Sequence, residues 1–415
     1  MKEHVDRISQ QGSYLNSRRI SLGGIPFTMR DVLVTAPLIA GLNVYLIGGT
    51  GEGKTQLSSD LAGLFGESTC IAEGRPDFEL SDLFKQLNLS KLRDAVSDQE
   101  LVELTGNVDK CLYYVDELNR CPPIVQNYFF NFFDGKLVHR GKIFRLGKHG
   151  YSVGYASGNI GDGAYVGISD VDRALKDRMH LIMKVDDPAL CTTENDDGEI
   201  FENKKDPRAT MPQADKGALE SILALHQEFR QQEVPLVFPA LGVFLHKGLD
   251  YLENTGRHSK RALDQQWPNV KGIRPDSDEG CVMPLSKRAV LGTLGLTQAL
   301  KMIAEANDHE VKGGVPLFLD AMQFTVPYSG VLSPAFIAQE HGGDAYSAYD
   351  AVFAGIAREV TEKTFDLEAA LVYALQGIRQ DDILSKIASG EGRWMPVRRY
   401  IEGVADTAAK ARESK

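Results

Sequence analysis

Two short stretches carry residue types suited to phosphate chemistry. The first, Gly48-Gly49-Thr50-Gly51-Glu52-Gly53-Lys54-Thr55, has glycines at the spacing of a phosphate-binding loop and ends in Lys-Thr. Glycine permits backbone conformations closed to other residues, so successive N–H groups can turn inward around phosphate oxygens. Lys54 would then reach the β- and γ-phosphates of a nucleoside triphosphate, and the Thr55 hydroxyl would hold magnesium. The first turn of the following helix, through Gln56, adds free N–H groups and the positive end of its dipole. The second stretch is Asp116-Glu117, about sixty residues further on. Asp116 suits the magnesium shell through a water, and Glu117 suits polarising the water that attacks the γ-phosphate. Paired acids are a weak signal alone and a strong one behind a phosphate loop.

These residues need elements to bring them together. Residues 44–47 form an apolar strand ahead of the loop, and residues 56–65 a helix behind it. Residues 111–117 are a continuous apolar run ending in the two acids, as expected of a central parallel strand buried on both faces. Ligands of open α/β sheets bind at the carboxyl ends of strands, which turns the acids toward the phosphate loop. Residues 68–72, 151–157 and 180–183 are further strands. Asn159, after the second of these, is either an amide that orients the attacking water or an asparagine in a turn.

Between the strands lie smaller features. Residues 25–40 carry helical apolar spacing, and residues 79–104 read as a charged helical insertion. Pro122-Pro123 opens a helix reaching about residue 134, with Tyr128, Phe129, Phe130, Phe132 and Phe133 as its core face. Residues 135–146 read as a hairpin with a basic tip at His139-Arg140-Gly141, either a gripping element or a solvent-exposed turn. Residues 169–179 place Arg173 and Arg178 at helical spacing. Further on, residues 192–206 read as an exposed acidic insertion, 216–231 and 239–252 as helices, and 254–282 as a long loop. Residues 286–304 form an amphipathic helix with Ser286 as N-cap and Arg288 near its start. The last hundred residues alternate loop and helix, over 316–324, 347–361 and 367–379, and end in a charged tail.

Length and composition set bounds. The chain has 415 residues, too many for one compact core. Its net charge of -11 opposes sequence-blind clamping of nucleic acid, which needs a basic face. The five cysteines are widely spaced, so they read as reduced thiols without a zinc site. Residues 1–19 are mixed in charge and unlike a signal peptide, and no run has the roughly 18 apolar residues of a membrane span. A cytoplasmic location is expected.

Taken in order, these motifs resemble an AAA+ ATPase of the MoxR-like family. The carrier is Asp116-Glu117-Leu118-Asn119-Arg120-Cys121-Pro122-Pro123 with Gln126, followed by the hairpin, Asn159 and Asp177-Arg178-Met179. Cys121 and Met179 depart from the usual alanine and phenylalanine. The resemblance covers about residues 25–305 and implies a P-loop α/β fold: a parallel sheet flanked by helices, an all-α lid and a mostly helical C-terminal extension. Expected divisions are a polar lead-in (1–22), the nucleotide-binding domain (23–189), the lid with insertions (190–310) and the extension (311–415).

The resemblance also implies roles. Asn159 resembles the sensor-1 residue, and Arg288, in Ser286-Lys287-Arg288, the sensor-2 arginine. Arg178 resembles the finger offered to the neighbouring subunit's γ-phosphate, with Arg173 as runner-up. ATP and magnesium are the implied cofactors. A homo-hexamer or other ring is implied, acting on a protein client, in some cases with a von Willebrand A-type partner. A restriction-type nucleic-acid motor, some of which use GTP, and a non-hydrolysing switch are the alternatives.

Overall fold

The computed structural model describes the chain except residues 11, 80–82, 88–101, 140, 160–170, 204–213, 216, 256–257, 270, 275–276, 312 and 414–415. It divides into two compact units. The first comprises Met1–Ser21, Ile25–Gln231 and Gln298–Glu310, and the second Leu22–Gly24, Gln232–Thr297 and Val311–Lys415.

The first unit is built on five parallel strands: β1 (Val44–Ile47), β2 (Thr69–Glu73), β3 (Leu112–Asp116), β4 (Val153–Gly158) and β5 (Leu181–Lys184). Their spatial order is β5-β1-β4-β3-β2. β1 and β4 are buried along their whole length, as the apolar runs predicted for strands covered on both faces. The register sets the carboxyl ends side by side. Gly158 lies opposite Ile47, Lys184 opposite Ile47, and Glu73 opposite Asp116. The phosphate loop therefore leaves the sheet at the edge where the acidic pair ends β3.

Several elements differ from the sequence-based expectation. The polar lead-in contains a helix, Lys2–Ser9, whose buried Val5 and Ile8 pack against the helix Ala218–Gln231. Two apolar side chains on one face suffice, each contributing roughly 1.5–3 kcal/mol when fully buried. Residues 25–28 are a strand, Ile25–Thr28, and only from Met29 does the chain become helical. The expected charged helix at 79–104 is contradicted where it is described. Lys85–Leu87 pairs antiparallel with Val102–Leu104.

The helix carrying the two arginines is also shorter than expected. It covers Arg173–Lys176, begins at Asp172, whose side chain accepts the Ala174 N–H (2.7 Å), and ends before Arg178. The acidic insertion contains the helix Glu194–Asn203, in which Asp196 is buried and accepts the Ser17 N–H. The hairpin is present as Lys136–His139 paired with Lys142–Arg145. Arg140, at its tip, lies outside the described residues.

The second unit is helical. Its long helix, Ala345–Leu375, runs through the break expected near residues 362–366, because that segment contains no proline or glycine. Its polar middle is occupied: Lys363 Nζ donates to the Lys386 and Ile387 carbonyls. The charged tail is a helix, Met395–Glu413, that buries Val397, Ile401 and Ala405. Arg393 pairs with Asp278 and Glu359, and Trp394 donates to Glu359 while stacking on Phe244 at 4.1 Å.

Candidate functional site

Gly53 caps the helix Lys54–Phe65 in a left-handed conformation (φ 74°) that a side chain would strain. A Cβ there would also stand 2.9 Å from the Tyr14 ring. The helix start, with its free N–H groups, is thus fixed directly behind the loop. Lys54 Nζ donates to the Gly48 carbonyl (2.9 Å) and the Gly49 carbonyl, folding the amine back over the loop. Burial lowers the Lys54 pKa, an effect opposed by the nearby carboxylates of Asp186, Glu52, Asp116 and Glu117. Four acids thus sense one ammonium, and the phosphate loop and the acidic pair form one electrostatic site. Thr55 is exposed at the first turn, and Gln56 Nε2 donates to Asp60 (3.1 Å).

The acidic pair is held from β4. Ser157, buried at the end of that strand, donates its hydroxyl to Asp116 Oδ1 and accepts the Glu117 N–H (3.0 Å). Glu117 adopts a left-handed backbone (φ 51°), uncommon for a non-glycine residue and typical of a constrained functional position. Its carboxylate pairs with Arg120 at 2.8 Å. Gly74 approaches from β2: its N–H donates to the Asp116 carbonyl (2.7 Å), and a Cβ there would stand 2.3 Å from the Glu117 oxygen.

The other motif residues serve as ties. Asn119 is buried and clamps Asn159 at both backbone groups, donating to its carbonyl and accepting its N–H. The backbone of Asn159 is therefore placed beside the acidic motif. Gln126 is fully buried, donates to the Cys121 carbonyl and accepts the Asp172 N–H. It joins the acidic motif to the short helix carrying Arg173. Arg173 is exposed. Arg178 is not: its Nε donates to the Phe130 carbonyl (3.0 Å) and pairs with Asp134 (3.2 Å), and its Nη1 donates to the Ala174 carbonyl (2.8 Å). Arg288 is half-buried at the start of the helix Lys287–Ala306, which Ser286 caps through the Ala289 N–H.

Three contributors were not foreseen. Asp186, two residues after β5, accepts the Gly49 N–H at 2.8 Å. Asp60, buried in the phosphate-loop helix, accepts the Ser13 and Tyr14 N–H groups and pairs with Arg30, tying the N-terminal strap to the loop. Ser157 is the third. An acid or hydroxyl at the carboxyl end of a parallel strand is the signal for Asp186 and Ser157; none marks Asp60.

The donor set fits magnesium with nucleotide. A threonine hydroxyl and an aspartate oxygen are hard ligands of the kind magnesium takes alongside substrate phosphates and water. Among the described residues no cluster of three His, Cys, Asp or Glu side chains forms a cage of its own. No helix among them is long and apolar enough to cross a membrane.

Residues 43–179 match the family model of the AAA domain, dynein-related subfamily. The fold is similar to the solved structure of a candidate ATPase from Cytophaga hutchinsonii. That likeness has a TM-score of 0.50 at 14% identity, over 80% of this chain and 91% of the other. No curated protein matches the chain. The parallel sheet, its flanking helices and the helical C-terminal part are those of an AAA+ P-loop α/β fold. The domain match supports an AAA+ ATPase.

Proposed function

We propose that the chain is a magnesium-dependent ATPase of the MoxR-like kind, active as a ring and coupling ATP hydrolysis to remodelling of a protein client. The carrying observation is the link from Ser157 to Asp116 and Glu117, at the edge of the sheet from which the phosphate loop with Lys54 leaves. Lys54 and the loop N–H groups bind the triphosphate and offset the charge that gathers on the γ-phosphoryl oxygens. Thr55, and Asp116 through a water, would hold magnesium, which would neutralise charge on the β- and γ-phosphates. Glu117 takes the proton of the attacking water as the bond from the γ-phosphorus to the bridging oxygen breaks, giving ADP and phosphate. Asn159, clamped at its backbone by Asn119, orients that water. Arg178 and Arg288 add positive charge in the assembled ring, the former from the neighbouring subunit.

The hairpin favours a polypeptide client. Val138 and Ile143 are paired across it and exposed, at 51% and 70%, on a hairpin that also carries Lys142 and Arg145. Exposed apolar side chains suit contact with protein, and the net charge of -11 counts against nucleic acid as the client. In a ring this hairpin faces the pore, and Arg140→Ala is expected to uncouple remodelling while sparing ATP binding. Normal remodelling by that variant would remove the pore role.

The chemistry is tested with Lys54→Ala and Glu117→Gln, measuring nucleotide binding and phosphate release side by side. Lys54→Ala should lose binding, and Glu117→Gln should bind ATP and turn it over at least about a hundredfold more slowly. Wild-type turnover by Glu117→Gln would remove Glu117 from the mechanism.

A further inference from the structure

We propose that Asp134 positions Arg178 and links it to the hairpin, so that the state of the hairpin sets how the arginine is presented. This rests on the ring reading above, in which Arg178 serves the neighbouring subunit. Asp134 follows the helix Tyr128–Phe133 and stands just before Gly135, whose left-handed backbone (φ 67°) turns the chain into the hairpin strand Lys136–His139. Its carboxylate has two cationic partners, Arg178 Nε at 3.2 Å and Lys136 Nζ at 3.6 Å. Lys136 opens the hairpin. One carboxylate is therefore shared between the foot of the hairpin and the arginine.

The surroundings make that shared contact the adjustable one. Asn43 donates to both the Phe133 carbonyl (2.7 Å) and the Arg178 carbonyl (3.0 Å), which pins the two backbones to β1. The Arg178 guanidinium lies over the Phe130 ring at 4.7 Å, so its plane is set by the helix that Asp134 ends. With the main chain fixed, a change at the hairpin reaches the arginine through the carboxylate. A cavity of about 270 Å³ borders Asp134 and Gly135, together with Asn43, Ser152 and His180. It gives the carboxylate room to change rotamer. The Arg178 and Asp134 side chains are only 19% and 17% exposed, so their attraction is screened less than at an open surface.

The test uses the full chain with magnesium and ATP. Arg178→Ala mixed with Glu117→Gln is the control: in a ring the second variant lends its arginine to the live sites of the first, and turnover reappears. Given that result, Asp134→Asn should assemble and bind nucleotide as wild type does. Its kcat should fall about tenfold while KM changes less than about threefold. Turnover should return on mixing with Glu117→Gln, and Asp134→Glu, which keeps the charge, should recover part of it. A wild-type kcat in Asp134→Asn, or a loss that mixing does not restore, overturns the positioning role and leaves the ring reading intact. If Asp134→Asn does not fold, Asp134→Ser takes its place under the same criteria: a wild-type kcat, or a loss that mixing does not restore, overturns the positioning role. Failure of the control mixture defeats the ring reading, and this proposal with it.

Discussion

Ser157 holds both acids of the site, one through its hydroxyl proton and one through its lone pair. Removing that hydroxyl leaves the Glu117 N–H without its acceptor and frees Asp116 to rotate. Ser157→Ala should therefore lower kcat about tenfold with a much smaller change in KM, read from steady-state phosphate release. Unchanged kcat would mean that the β3 backbone alone places the acids. The residues assigned to the nucleotide were legible in the sequence because their spacing is linear: the phosphate loop is one stretch and the acidic pair another. Ser157 and Asp186 were not, because their partners lie 40 and 137 residues away and only the sheet register brings them together. Arg178 is singled out in the sequence by position alone, and the contacts with Asp134 and Phe130 that restrain it depend on a fold no spacing rule describes.

Among the elements, β2 matters through a single glycine. Gly74 lets the end of β2 pass against the Glu117 carbonyl, where a methyl group would stand 2.3 Å from the oxygen. Gly74→Ala should push the acidic pair out of place and reduce turnover at least about tenfold, because a small misplacement at the reacting centre is costly. Hydrolysis and a thermal melt measured together would separate this from unfolding, since the expected loss of activity exceeds any loss of folded protein. In the second unit, burial lowers the Lys260 amine to about 8 from 10.5, although it donates to the Val282 carbonyl at 2.6 Å. The unfolded chain then binds more protons than the folded one between those values, so this lysine's destabilising contribution is relieved as pH rises from about 8 to 10.5. Urea unfolding of wild type and Lys260→Met at pH 7 and 9.5 should show the wild type gaining relative to the variant at the higher pH. A pH-independent difference would contradict it. Strands β1, β3, β4 and β5 were legible because they are buried along nearly their whole length and read as apolar runs. Lys2–Ser9 was missed because two buried side chains among charged ones leave little pattern, and the continuity of Ala345–Leu375 because its polar middle resembles a linker.

In a ring of this kind, one chain alone is incomplete as a catalyst. The phosphate loop, Asp116, Glu117 and Asn159 belong to one chain, while the charge assigned to Arg178 must come from the next. A head-to-tail contact of that kind generates a ring where its rotation closes, as proposed above. Neither the client nor the size of the ring was legible, because both depend on surfaces that no motif marks. The most direct measurement is ATP turnover per subunit against protein concentration, with particle mass followed by light scattering, for wild type and Arg178→Ala. The account predicts that wild-type turnover per subunit rises as the ring assembles, and that Arg178→Ala assembles equally and stays slow. A monomer that hydrolyses ATP at full rate at every concentration, with or without Arg178, would contradict it.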